Sequence, residues 1–162
     1  MRRSGLSFLI DTNVWLDHFF DNRRDHEVAT AALTRAYELQ VPLFYASPST
    51  KDVFYQAAWA LKRDARNAHG TLTEEDARNA TETAWSVVEN MDELATAVGC
   101  DSSDVWLAQK YRCLHNDLED NLIFAAANRA HVTQLVTSDE RLIEHAPVAT
   151  LTPKDALALL EL

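Results

Sequence analysis

Ser7-Phe8-Leu9-Ile10-Asp11-Thr12-Asn13 is the stretch on which the fold turns. Its first four residues make a short apolar run of strand type, and the run stops at residues that favour the start of a helix. The same unit, strand then helix, recurs downstream. Val28, Ala29, Ala32, Leu33, Ala36 and Leu39 stand at helical spacing, Pro42-Leu43-Phe44-Tyr45 is a second short strand, and Ser49-Thr50-Lys51-Asp52 opens another helix. That helix has an apolar face through Val53, Phe54, Ala57, Ala58 and Leu61. Thr73-Glu74-Glu75-Asp76 is a capping-box pattern ahead of a long helix with Ala77, Ala80, Ala84, Val87, Val88 and Met91.

Further on, Leu94-Ala95-Thr96-Ala97-Val98 is a strand candidate, residues 104–114 and the alanine-rich 117–130 read as helices, and Gln134-Leu135-Val136-Thr137 reads as a strand delivering Ser138-Asp139. Val148-Ala149-Thr150-Leu151 and a last helix from Pro153 complete the pattern. Short apolar strands alternating with helices predict an α/β fold, a three-layer α/β/α sandwich around a mainly parallel central sheet. Ligands of open sheets of this kind bind beyond the carboxyl ends of the strands, so the polar residues at those ends matter most.

The bulk properties narrow the function. A chain of 162 residues, 47% hydrophobic and 25% charged, reads as a single domain over residues 1–162 with its own core. Met1-Arg2-Arg3-Ser4-Gly5 precedes an apolar run that Asp11 ends, too short for a signal peptide or a membrane span, so a cytoplasmic protein with no membrane association is expected. Cys100 and Cys113 are expected to be reduced packing residues, and they form no zinc signature. The six histidines are not spaced as metal ligands either. With three scattered glycines, neither a nucleotide phosphate cradle nor Gly-x-Ser-x-Gly can be written. A net charge of −10 opposes non-specific adhesion to nucleic acid, unless many of the carboxylates form a site that divalent cations neutralise. Arg23-Arg24 and Lys62-Arg63 with Arg66 are basic clusters available to flank such a site.

Asp11 follows the first strand, Asp52 falls in the first turn of the helix after the second, and Asp139 lies just beyond the strand ending near Thr137. Asp117 and Asp120, three apart at a helix start, share one face. Each position alone is explained by capping, since carboxylates satisfy free N–H groups and the helix dipole. Together they are harder to explain so. Two carboxylates about 4 Å apart repel by roughly 4 kcal/mol at an effective dielectric near 20, and a cation relieves this. Oxygen-only ligands select a hard ion, Mg²⁺ or Mn²⁺, and such ions suit phosphodiester cleavage by an activated water. Asn13 and Ser138 are neutral neighbours able to hold water or a phosphate oxygen.

Phe8-Leu9-Ile10-Asp11-Thr12-Asn13-Val14, Asp117-Leu118-Glu119-Asp120-Asn121-Leu122 with Ala125 to Ala127, and Val136-Thr137-Ser138-Asp139 together resemble, in order, the motifs of the PIN-domain ribonucleases, which include VapC-like toxins. The resemblance implies that Asp11, Asp120 and Asp139 are metal-site carboxylates, with Asp117 an added acidic residue. It also implies an RNA substrate, frequent homodimers, and toxins silenced by a cognate antitoxin. Asp52 stands where the family usually has Glu, and the helix at about 73–91 is an elaboration expected to shape substrate access. Trp15, Trp59, Trp85 and Trp106, at helical spacing, are expected in the core more than against RNA bases.

Two competing readings remain. One is a catalytically silent PIN-like module that binds RNA or a protein. The other is a phosphatase of the haloacid-dehalogenase type with Asp11 as nucleophile, which would be expected to carry a second Asp where Asn13 stands.

Overall fold

The computed structural model describes residues 5–162, so most of the N-terminal tail read above, Met1 to Ser4, lies outside the described residues. In chain order the elements are β1 (Phe8–Ile10), α1 (Thr12–Phe19), α2 (His26–Glu38), β2 (Leu43–Ala46), α3 (Ser47–His69), α4 (Glu74–Leu94) and β3 (Thr96–Val98). They continue as α5 (Ser102–Tyr111), α6 (Leu118–Arg129), β4 (Gln134–Val136), α7 (Glu140–His145), β5 (Thr150–Leu151) and α8 (Pro153–Glu161). The five strands form one sheet in the order β3-β2-β1-β4-β5, with every neighbouring pair parallel. β1 is central, with Phe8 in register with both Leu43 and Gln134.

Alternation along β1 separates two cores. Phe8 and Ile10 face a cluster with Val14, Trp15, Leu33, Val53 and Met91, while Leu9 faces the opposite side with Ile123, Phe124 and Leu142. Helices therefore cover both faces, as the sequence pattern requires. Because the strand order runs one way from β1 through β2 and the other way through β4, the carboxyl ends of β1 and β4 border a topological switch point.

α3 follows β2 without a loop. Pro48 in its first turn lacks an N–H that would go unpaired there, and Gly70 ends it at φ 76°, a left-handed conformation that costs glycine little. Since the helix begins at Ser47, Asp52 sits in its second turn and not, as expected, in the first. α4 packs back on α3 through Ala57, Ala58 and Ala84, and its Val87 and Met91 enter the main core. On the other side of the sheet, Arg129 of α6 grips the start of α5, reaching Asp104 at 2.7 Å and Asp101 at 2.7 Å.

Two expectations need correction. Trp15 is fully buried, edge-on to Tyr45, but Trp59, Trp85 and Trp106 are 64%, 54% and 59% exposed. Helical spacing does not say which face turns inward, and on α3 the small residues Ala57 and Ala58 take that face, leaving Trp59 outside. Cys100 and Cys113 are free thiols but lie exposed in segments flanking α5 rather than packed. Among the described residues, no helix is long and apolar enough to cross a membrane.

Candidate active site

Asp11 is carried to the switch point by the end of β1, whose hydrogen bonding to β4 continues through Asp11 N–H to the Val136 carbonyl at 3.0 Å. Its side chain is 3% exposed. One carboxylate oxygen accepts from Thr12 N–H at 2.7 Å and the other from the Thr137 hydroxyl at 2.6 Å. The same Thr137 oxygen accepts from Asp139 N–H at 3.1 Å, so one hydroxyl ties the end of β1 to the turn after β4 and sets where Asp139 stands. Burial raises the Asp11 pKa to about 6 against the lowering of these two hydrogen bonds, and the charges of Asp120 and Asp139 push it the same way as burial.

The Thr137→Val variant keeps the volume while leaving both an Asp11 oxygen and the Asp139 N–H short of a partner. It is expected to lose about 1–3 kcal/mol in urea unfolding; an unchanged midpoint would mean that water replaces the hydroxyl without cost.

Asp117, Glu119 and Asp120 stand where α6 begins. Asp117 is the N-cap, its Oδ1 accepting from Glu119 N–H at 2.9 Å and Asp120 N–H at 3.2 Å, so its role in helix initiation is explicit. Asp120 is turned toward the interior and accepts from His115 Nε2 at 2.6 Å. Burial raises its pKa, the His115 hydrogen bond opposes this, and Asp117 and Asp139 add to the rise. Asn121 holds the loop that carries His115, its amide donating to the His115 carbonyl at 2.8 Å.

Glu119 was not singled out by the sequence motifs, yet it joins the whole set. Its pKa is raised to about 7 by lost hydration and by Asp52, Asp120, Asp11 and Asp117. Through it Asp52, reached from α3, belongs to the same field; Asp52 also lies 3.7 Å from Lys51 Nζ. His115 was equally unforeseen, because it precedes α6 in irregular chain where no periodicity marks its direction. The one available signal for Glu119 was its place between two assigned carboxylates.

Asp139 has a capping bond as well, from Arg141 N–H at 2.8 Å. Asn13, Ser138 and Asp139 line a hollow with Arg23, Arg24 and Arg141. Ser138 donates to buried Asp17 at 3.1 Å, which is paired with Arg23 at 2.6 Å. Ser138 thus has a structural tie as well as a place on the lining of the hollow.

Asp11, Asp52, Asp120 and Asp139, with Glu119, thus converge on one edge of the sheet, and Asp117 borders it. Among the described residues, no three side chains of His, Cys, Asp or Glu are close enough together to enclose a metal ion directly. The donor set fits a hard cation held partly through water, as Mg²⁺ usually is. It is oxygen-rich and mutually repulsive, and the carboxylates at its centre are displaced towards protonation in the way that a nearby positive charge would reverse.

The fold has counterparts. In VapBC2 from Rickettsia felis, solved with a DNA fragment from its promoter, one chain superposes with a TM-score of 0.64 at 10% identity, covering 91% of this chain and 98% of that one. FitAB, solved with a DNA fragment, gives 0.63 at 15% identity over 91% and 95%. VapC20 from Mycobacterium tuberculosis, described as a sarcin-ricin loop cleaving toxin, gives 0.58 at 12% identity over 85% and 94%. At such identities the likeness is one of fold. A search of curated proteins returns no match. The model of the PIN domain matches residues 8–147, a span from the first residue of β1 past the end of α7 that takes in every acidic residue of the edge, and the chain belongs to the PIN domain family.

Proposed function

We propose that the protein is an endoribonuclease that hydrolyses RNA phosphodiester bonds at this acidic edge with Mg²⁺ or Mn²⁺ held by Asp11, Asp120 and Asp139. The observation that carries the reading is the convergence of carboxylates from β1, α3, α6 and the turn after β4, where burial first and the neighbouring carboxylates second raise the pKa values of Asp11, Glu119 and Asp120. Bound there, the ion would supply a more acidic water and offset phosphate charge. Asp52 and Asp117 border the ion site and add to its negative field.

The chain's own groups do the positioning. Thr137 holds Asp11 in one orientation, and His115 does the same for Asp120. With no cation present, the Glu119 carboxyl holds a proton for part of the time at neutral pH, a state suited to passing protons to and from a reacting oxygen. Asn13 offers an amide at the rim. The phosphatase alternative meets an obstacle here, since a nucleophilic Asp11 would have to attack from a buried carboxyl with both oxygens already hydrogen-bonded.

The reading extends to partners. Family membership and the likeness to VapBC2 and VapC20 support a toxin silenced by a cognate antitoxin, and we propose with it a homodimer that works in the cytoplasm. The test is a panel of end-labelled structured and single-stranded RNAs incubated with Mn²⁺, Mg²⁺ or EDTA, alongside an aromatic phosphomonoester. RNA fragments that form only with metal are expected. RNA binding without fragments favours the silent module, and phosphomonoester turnover with a trapped acyl phosphate favours the phosphatase.

A further inference from the structure

We propose that the exposed face of α3 is a track for single-stranded RNA, leading bases across Tyr55 and Trp59 toward the acidic edge while arginines take the phosphates. This rests on the ribonuclease reading above and names how the substrate reaches that site. Asp52, Tyr55, Trp59 and Arg63 are spaced at three and four residues, so they share one side of the helix. At 1.5 Å per residue the stripe rises about 10 Å from Asp52 to Trp59 and about 16 Å to Arg63. Tyr55 and Trp59 are each 64% exposed and one helical turn apart, so two rings open to solvent on the same side of α3.

Cations accompany the rings. The Arg63 guanidinium lies 5.1 Å from the Trp59 ring centre, while also bonded to Asp64 at 2.9 Å. Trp59 and Arg63 line a recess with Arg23, and Arg23 also lines the hollow that holds Asn13 and Asp139, so the two depressions adjoin. Arg24 and Arg141 border that hollow, and neither has an ion-pair partner among the described residues. The hollow also carries Asp17, Asp25 and Glu140, and Arg23 is held by Asp17, so the cations left to meet phosphates are Arg24 and Arg141; set beside two exposed rings, they match a polyanion with stackable bases.

The test is fluorescence anisotropy of a short fluorescein-labelled single-stranded RNA of mixed sequence, in EDTA to prevent cutting. Trp59→Ala should weaken binding about tenfold, Trp59→Phe should restore most of it, and Trp106→Ala on distant α5 should bind as the wild type does. Wild-type affinity in Trp59→Ala overturns the track, as does an absence of RNA binding by the wild type. If Trp59→Ala instead converts a dimer to a monomer in sedimentation and leaves RNA affinity intact, the face belongs to a second copy and the track is overturned. Cleavage with Mn²⁺ is scored separately. A wild type that cuts RNA without needing Trp59 leaves the ribonuclease reading standing alone, and one that holds RNA through Trp59 but never cuts leaves the track without it.

Discussion

In EDTA at pH 7 the Asp11→Asn variant will melt at a higher temperature than the wild type. Folding raises the Asp11 pKa from 3.8 to about 6. The folded state therefore binds more protons than the unfolded chain between those values, and stability falls as pH rises through that window. Above it the penalty is complete, at up to about 3 kcal/mol for a shift of this size, or roughly 6–12 °C for a chain this long. Asn avoids the buried charge and its carbonyl still accepts the Thr137 hydroxyl, but its amide nitrogen cannot accept from Thr12 N–H, a loss of about 1 kcal/mol that offsets part of the gain. The gap should close below about pH 4, where both forms are neutral. Mn²⁺ should then stabilise the wild type and leave the variant unchanged. A variant less stable than the wild type across the whole pH range would show that Asp11 is structural and its charge well solvated.

Replacing carboxylates one at a time should separate ion-holding groups from caps. Asp120→Asn and Asp11→Asn each remove a charge that faces the site and are expected to lower RNA cleavage at least about 100-fold in single-turnover assays with Mn²⁺. Asp117→Asn should stay within about threefold of the wild type, because Asn caps a helix as well as Asp does. Equal losses in all three would mean that total negative field, and not particular ligands, governs activity. Asp120→Asn also tests the His115 contact, since an amide nitrogen turned toward Nε2–H offers it nothing to bond to.

Where an apolar run met a helix-starting residue, the sequence was legible. β1 with Asp11, β4 with Thr137 and Asp139, and the α6 start with Asp120 each combine a hydrophobic period with a terminal polar group, so local chemistry announces both element and site residue. Asp52 was harder. The short polar run Ser49-Thr50-Lys51 looks like a cap, but Ser47-Pro48 already begins the helix one turn earlier. Glu119 and His115 act through neighbours brought in by α3 and the loop before α6, which no single segment encodes. The bond from Ser138 to Asp17, buried and paired with Arg23, joins segments far apart in the chain and so was not legible from either. Trp59 escaped the core because alanines on the opposite side of α3 let α4 approach closely.

The most direct measurement is one RNA cleavage time course on the wild type, started with Mn²⁺, stopped with EDTA and restarted with excess Mn²⁺, with Asp120→Asn run in parallel. Cleavage that halts, resumes and is lost in the variant is the predicted result. Cutting that continues undiminished through EDTA, or that Asp120→Asn performs at the wild-type rate, would contradict a metal-dependent ribonuclease at this acidic edge.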